Sequence, residues 1–163
     1  MDSRVMPSRV FSFTLLMVLV SFFLNSCGKD TLYHTYHSLP LYGWGRVDTL
    51  CYEYLATDSL GEGTGMVMVE VRHRSDYPYR NLPMLLQVLQ PDSTLMCSDT
   101  LQLFLADGEG QWLGSGFGSL YQAPSLPVGR FLFSSGTYSL RLNHLLPDSL
   151  VRGVNDVGIR IVR

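Results

Sequence analysis

The sequence MVMVEVRHR, residues 66–74, decides the fold class of this chain. Here Val67, Val69 and Val71 alternate with side chains that are longer or charged. Successive side chains of a β-strand point to opposite sides, so an alternation with a period of two residues indicates a strand with one buried face. Residues 66–74 are therefore predicted to form a strand whose valines lie in a core.

The same alternation appears in residues 49–55, 100–106, 137–144 and 157–162, between turns that contain glycine, proline or aspartate. Residues 82–90 are apolar on both faces at their centre, which predicts a central strand. The other predicted strands are residues 31–38, 49–55, 82–90, 94–97, 100–106, 130–133, 137–144 and 157–162. Short strands of this kind, several of them joined by connections longer than hairpins, favour an all-β fold. We expect a single β-sandwich, jelly-roll-like in its strand order rather than an up-and-down barrel.

Two stretches lack this alternation. Residues 111–127 hold Gly114, Gly116 and Gly118 among aromatic side chains and are predicted to be a glycine-rich loop. Residues 145–154 are irregular, with room for one helical turn.

The beginning of the chain has the layout of a bacterial export signal. Two arginines precede residues 10–24, an uncharged and mainly apolar run that is shorter than the about 20 residues a membrane span needs. The run ends in Leu24-Asn25-Ser26-Cys27, which looks like a lipobox, although Asn25 departs from the usual residue there. The alternative is an ordinary signal peptide with a chance cysteine.

Cys27 is accordingly the predicted lipidation site, carrying a diacylglyceryl group and an acyl chain such as palmitate. The expected organisation is a lipoprotein signal peptide over residues 1–26, a short lipid-anchored tether over 27–31, and a β-sandwich domain over 32–163. The tether reaches only about 13 Å when extended, so the domain is expected close to its membrane. The expected location is the cell envelope, at the outer rather than the inner membrane.

The composition argues against several other classes of protein. The chain has 12 Lys and Arg against 14 Asp and Glu, with no basic stripe, so nucleic acid is not an expected partner. His34 and His37 would lie on opposite faces of a strand, and no set of ligands for a metal or other cofactor is complete. Serines near Gly116 do not form a G-x-S-x-G elbow, so an enzyme is not expected. Cys51 and Cys97 leave a disulfide open.

Residues 72–81 form the densest polar block in the chain. Arginine and tyrosine are favoured at contact hot spots, which suggests a binding surface, whereas a proline and an aspartate in the same block suggest a turn with a structural role. Both interpretations stay open on the sequence alone. The candidate surface residues are Arg72, Arg74, Asp76, Tyr77, Tyr79 and Arg80.

Taken in order, several segments resemble the gliding motility lipoprotein GldH family of the Bacteroidetes. These segments are the lipoprotein signal, an opening Tyr-His segment, Gly43-Trp44, and residues 71–82, 107–114, 116–122, 133–138, 144 and 153–160. The resemblance implies an envelope lipoprotein needed for gliding over surfaces, without enzymatic activity, cofactor or established catalytic residues. Only Cys27 carries over as a functional position.

Two functions remain possible at this point. The first is a non-catalytic lipoprotein with a structural or assembly role, held to the membrane by the lipid on Cys27 and contacting other envelope proteins. The alternative is a membrane-anchored β-sandwich that binds glycans by stacking sugars on exposed aromatic side chains. The candidates for such stacking are Tyr77, Tyr79, Trp44 and Trp112. Burial of these four side chains would remove the basis of the second function.

Overall fold

A computed structural model describes residues 31–57 and 63–163, so the predicted signal peptide and Cys27 lie outside the described residues. All regular elements in the described residues are strands, which confirms the all-β class. No helix in this part of the chain is long and apolar enough to cross a membrane. The strands are β1 (Thr31–Ser38), β2 (Trp44–Gly45), β3 (Leu50–Ala56), β4 (Gly63–Arg74), β5 (Asn81–Leu89), β6 (Leu95–Phe104), β7 (Ser115–Phe117), β8 (Leu120–Gln122), β9 (Leu126–Phe133), β10 (Gly136–His144), β11 (Leu150–Val151) and β12 (Val154–Val162).

The first sheet is centred on β4, the strand predicted from residues 66–74. Its order is β1-β12-β4-β8-β7, and β9 also pairs with β4, alongside the part of β4 that β8 leaves free. Neighbouring strands are antiparallel. In this register Tyr36 of β1 lies opposite Gly158 of β12, which in turn lies opposite Glu70 of β4.

The second sheet has the order β3-β10-β5-β6 and is also antiparallel. The short strands β2 and β11 pair with each other in a two-stranded sheet of their own. Thus each long sheet is assembled from segments that are far apart in the sequence.

Both sheets contribute to one hydrophobic core. Val67, Val69 and Val71 of β4 are fully buried, as the alternation predicted. The phenol hydroxyl of Tyr52 on β3 donates a hydrogen bond of 2.7 Å to the carbonyl oxygen of Val157 on β12. This bond links the two sheets through the core.

The strand directions define two ends of the domain. Thr31, at the start of β1, pairs with Val162, which pairs with Met66 of β4; we call this the Thr31 end. At the other end of β4 the pairing with β12 stops at His73, and the amide of Arg74 donates a hydrogen bond to the carbonyl oxygen of Gly153. We call this the Arg74 end. Met66 and Arg74 are eight residue steps apart along β4, about 27 Å at the usual rise of a strand.

Three local predictions were wrong. Residues 94–97 and 100–106 are expected as two strands, but most of both lie in the single strand β6, because Ser98 and Asp99 continue the pairing with β5. Residues 111–127 are not only a loop, since β7 and β8 form a hairpin there. Residues 145–154 contain β11 rather than a helical turn.

Candidate functional site

Polar side chains from several strands meet on the outer face of the first sheet. They occupy the positions that alternate with the buried ones, so the core-facing valines and isoleucines leave them pointing outward. We call this group the outer-face cluster. Its members are His34, Tyr36, Glu70, Arg72, Gln122, Ser125, Asp156 and Arg160.

Glu70 is the centre of the outer-face cluster, and only 5% of it is exposed. Oε2 accepts a hydrogen bond from the hydroxyl of Tyr36 and lies 2.9 Å from Nε2 of His34. Oε1 accepts from Ser125 Oγ at 2.8 Å and forms an ion pair of 2.9 Å with Nε of Arg160. Each oxygen of the carboxylate therefore has two partners, and the four partners come from β1, β12 and the segment before β9.

The environment keeps Glu70 ionised. Burial by itself would raise the pKa of this carboxyl, but the hydrogen bonds from Tyr36, Ser125 and His34, together with the charge of Arg160, hold the pKa below its ordinary value. These partners outweigh burial because a hydrogen bond to a charged group is stronger than one between neutral groups. A carboxylate held ionised in this way is a poor general acid.

Tyr36 reaches Glu70 by crossing β12 at a glycine. A Cβ atom at Gly158 would lie 2.6 Å from Cδ1 of Tyr36, so only glycine leaves room for the ring. The guanidinium of Arg72 covers the same ring at 4.4 Å from its centroid, a cation–π contact. Burial, followed by the neighbouring Glu70, raises the pKa of Tyr36 to about 12.

Asp156 continues the cluster towards the Arg74 end. Its carboxylate accepts hydrogen bonds from Ser38 Oγ at 2.7 Å and from Asn155 Nδ2 at 2.8 Å. Arg72 stands between the two acids, 3.9 Å from Asp156 and with its Nε donating to Gln122 Oε1 at 3.0 Å. Each charged member is thus directed at another member of the cluster.

This arrangement braces the sheet and offers no set of metal ligands. The described residues contain no group of three or more His, Cys, Asp or Glu side chains that could hold a metal ion. His34 and His37 lie on opposite faces of β1, as predicted: His34 faces Glu70, and His37 packs against Tyr52 with ring centroids 4.6 Å apart. The outer-face cluster therefore ties β1, β4 and β12 together through side chains.

The structure divides the six residues of the predicted binding surface among different surroundings. Arg72 belongs to the outer-face cluster, and Arg74 pairs with Asp76 at 3.1 Å in the turn after β4. Tyr77 is buried, and its hydroxyl donates to the carbonyl oxygen of Asn81.

Two further residues of that block tie loops together. The hydroxyl of Tyr79 donates to Asp148, which joins the block to the loop before β11. Arg80 has an exposed side chain, and its carbonyl oxygen accepts from the amides of Leu105 and Ala106. Much of the block therefore builds the Arg74 end; of the six candidate residues, Asp76 and Arg80 are exposed there and Arg74 is partly exposed.

The aromatic side chains proposed to stack on sugars are mostly used in packing. Trp44 is 0% exposed and Tyr77 is 3% exposed, so neither can present a ring to a glycan. Trp112 is partly buried against His73, with ring centroids 4.6 Å apart, and Tyr79 packs edge-on against Tyr77. These positions leave the glycan hypothesis without an exposed aromatic platform.

The two thiols in the described residues are free. Cys51 lies on β3 and Cys97 on β6, the opposite edges of the second sheet. The disulfide left open by the sequence is therefore not formed.

Sequence reasoning missed the role of Glu70. In the sequence it is one polar position in an alternating strand, and an outward position is usually taken as solvated. A signal did exist: a carboxylate between four apolar neighbours, Val67, Met68, Val69 and Val71, is unusual enough to suggest a partner. Which residues supply that partner could not be read from the strand itself.

Two buried histidines at the Arg74 end predict acid sensitivity. His73 and His144 are almost fully buried, and burial lowers the pKa of both. A lowered pKa in the folded state means that the fold favours the neutral ring. The stability is then complete above the unfolded value of about 6.5 and declines as the pH falls below it.

We expect the free energy of unfolding to fall between pH 7 and pH 5.5, by up to about 1.4 kcal/mol per pH unit for each histidine. Urea denaturation at several pH values measures the slope, and carboxylates scarcely titrate in this window. His144→Leu should reduce the slope, because it removes one of the two buried rings. A wild-type slope of zero would contradict the prediction.

The strands and the outer-face cluster define an all-β domain braced by a buried carboxylate. The family model described as "GldH lipoprotein" matches residues 31–161. The chain belongs to the GldH lipoprotein family, which confirms the resemblance seen in the sequence.

Two relatives agree with this assignment. A "Gliding motility lipoprotein GldH homolog" of Christiangramia forsetii is 28% identical over 160 residues, covering 93% of this chain and 92% of that protein. A "Gliding motility lipoprotein GldH" of Flavobacterium johnsoniae is 24% identical over 153 residues, covering 90% of this chain and 93% of that protein.

Solved structures are more distant. A crystal structure from Sulfurospirillum deleyianum has a TM-score of 0.44 at 10% identity and covers 80% of this chain and 98% of that one. Dimeric latent PorU from Porphyromonas gingivalis has a TM-score of 0.34 at 13% identity, covering 84% of this chain and 13% of that one. No further argument rests on these two likenesses.

Proposed function

We propose that this chain is a non-catalytic cell-envelope lipoprotein with a structural or assembly role in gliding motility or the associated envelope machinery. Its membership of the GldH lipoprotein family and the names of its two relatives, both gliding motility lipoproteins, support the gliding role. A structural role is supported by a separate observation on the outer-face cluster.

The observation is that the motifs of the family resemblance meet in the outer-face cluster. The segments that carry the family resemblance supply most of the cluster: the Tyr-His segment of β1, Arg72, Gln122, and the ending that contains Asp156 and Arg160. Their charges and hydrogen bonds are directed at one another. Because these side chains bond to one another and hold the strands together, they suit a scaffold and not the turnover of a substrate.

We further propose that the two long sheets form one jelly-roll sandwich. The order β1-β12-β4-β9 in one sheet and β3-β10-β5-β6 in the other is the order that two nested Greek keys produce. The shared hydrophobic core and the bond from Tyr52 to Val157 support a face-to-face arrangement. Such a sandwich presents one polar outer face and leaves loops at both ends for contacts.

The proposed anchor is the lipid on Cys27, exposed by removal of residues 1–26 and joined to the domain by the tether 27–31. The domain begins at once, because Thr31 already pairs with Val162. The membrane is proposed to be the outer one, with other envelope proteins as partners and with neither nucleic acid nor a cofactor involved.

Cys27→Ala is expected to release the protein from the membrane without unfolding it, because the thioether needs the thiol and the folded core does not. The measurements are incorporation of a labelled fatty acid and the partition between membrane and soluble fractions. Cys51→Ala, at an exposed cysteine of the folded domain, is the matched control and should remain labelled. Label in the Cys27→Ala protein would refute the anchor assignment.

The role itself is tested by deleting the gene in its native host. We expect loss of colony spreading in a gliding host, or changed envelope complexes on native gels in a host that does not glide. Wild-type protein should restore the parental behaviour and the Cys27→Ala protein should not. Deleted cells that match the parent in both measurements would overturn the proposed function.

A further inference from the structure

The hairpin formed by β7 and β8 presents an apolar surface at the Arg74 end. Phe117 is 95% exposed, and Leu120, its directly paired neighbour, is 37% exposed. Directly opposed residues of an antiparallel pair point to the same side, so these two side chains form one small apolar face. The turn between them is Gly118-Ser119, with Gly118 at φ +63°, a tight two-residue connection that glycine permits.

The opposite side of the hairpin is firmly attached to the domain. The ring of Tyr121 stacks on His73, with centroids 5.6 Å apart and planes within 16° of parallel. The amide of Ser75 donates to the carbonyl oxygen of Ser119 at 2.8 Å. A Cβ atom at Gly116 would lie 2.5 Å from the Tyr121 ring, so the ring lies directly on the glycine. The hairpin is thus attached to the domain through β8, which pairs with the end of β4, and through its turn.

A single exposed apolar residue on a protein surface needs no explanation, but one carried by a hairpin that is fixed to the domain is a candidate contact site. Because the backbone that carries the Phe117 ring is already fixed, binding would cost little backbone freedom, which favours affinity. Such anchors lie at the centre of interfaces, surrounded by a polar rim. Here the rim exists: the ion pair of Arg74 and Asp76 adjoins the hairpin through Ser75.

The position of the hairpin indicates what kind of partner can bind its apolar face. It lies about 27 Å along β4 from the Thr31 end, whereas the tether after Cys27 spans about 13 Å. Laying the domain on its side would press the charged outer-face cluster onto lipid, at a desolvation cost. The membrane that holds the proposed anchor is therefore a poor occupant, and an envelope protein is the better one. Leu41, Tyr42 and Val47 are also exposed at the Arg74 end.

We propose that the β7–β8 hairpin, with the turn at residues 74–76, is the docking surface for an envelope protein that offers an apolar pocket to the ring of Phe117. This inference rests on the proposed function, because the anchor at Cys27 is what directs the hairpin away from the membrane. Residues 74 and 76 of the predicted binding surface then serve as its rim.

The test places a photo-crosslinking phenylalanine derivative at position 117 of the full-length chain in its native host. The control position is Leu132, which is 66% exposed on β9 near the Thr31 end. We expect one discrete adduct with another protein, at least about tenfold stronger from position 117 than from 132. Adding Leu120→Ser to the crosslinking chain should remove it, because that change alters the same apolar face.

A second measurement shows whether the adduct reflects binding. The captured protein, identified by mass and purified, should bind Phe117→Ser at least about 30-fold more weakly than wild type, the loss typical of a hot-spot side chain. Leu132→Ser should bind as wild type does. Thermal melts and membrane fractionation should be unchanged in both variants, so a loss of folding or anchoring is recognised directly.

Several outcomes would overturn the inference: no adduct, equal adducts from both positions, an adduct with lipid, an adduct between two copies of this chain, or wild-type affinity of Phe117→Ser. Each of these leaves the gene-deletion result untouched. Conversely, deleted cells that behave like the parent would overturn the proposed function whatever the crosslinking shows. The two failures are therefore distinguishable.

Discussion

Glu70→Ala is expected to lower the free energy of unfolding by about 3 kcal/mol. The substitution removes the acceptor for Tyr36, His34 and Ser125 and leaves the guanidinium of Arg160 without its ion pair. Groups that are left partly buried without a partner cost more than the bonds themselves contributed. Urea denaturation of the purified domain, monitored by tryptophan fluorescence, measures the change.

Glu53→Ala provides the matched control for this prediction. Glu53 is the exposed acid on the outer face of β3, so its loss should change stability by less than about 0.5 kcal/mol. Glu70→Gln, which keeps the shape and removes the charge, should fall between the two. If Glu70→Ala unfolded at the same urea concentration as Glu53→Ala, the bracing role of the outer-face cluster would be rejected.

Gly153→Ala is the second substitution with a large expected effect, a loss of about 2–5 kcal/mol. Gly153 has φ +84°, which is unfavourable for any side chain. A Cβ atom there would also lie 2.6 Å from the Cα atom of Tyr77, which is backbone and cannot rotate away. Because the carbonyl of Gly153 accepts from the Arg74 amide, a displacement would also weaken the end of β4.

Gly110→Ala separates the two causes. Gly110 has φ +86°, nearly the same as Gly153, but a Cβ atom at Gly110 would meet nothing within 4 Å. It should therefore lose only the conformational part, about 1–2 kcal/mol. Thermal and urea denaturation of both variants give the comparison. Equal losses would mean that the close approach of Gly153 to Tyr77 contributes nothing.

The alternation of side chains predicted the strands of the core and the face of each strand that is buried. It succeeded for β4, β10 and β12, because in these strands one face meets the core along the whole length. It failed at β6, where Ser98 and Asp99 look like a turn yet continue the pairing with β5. Backbone hydrogen bonds to a neighbouring strand can hold polar residues extended that local preference would place in a turn.

For the polar block at residues 72–81, the sequence could not tell which side chains are exposed. Its composition could mean either a binding surface or a turn, and burial decided between these for individual residues. Tyr77 is inside, Arg72 is bound to the outer-face cluster, and Arg74 and Asp76 remain outside beside a hairpin that the sequence predicted as loop. Exposure depends on what packs over a residue, and the residues that do so come from elsewhere in the chain.

The sequence by itself determined the all-β class, the buried face of the main strands and the family, because alternation and motif order are local or sequential properties. The predicted anchor at Cys27 also comes from sequence alone. Only the tertiary structure decided that Glu70 is joined to Tyr36 and Ser125, which are 34 and 55 residues away in the chain. Strand order and register bring these residues together, and both follow from burying the apolar faces of two sheets in one core, a constraint that no single strand contains.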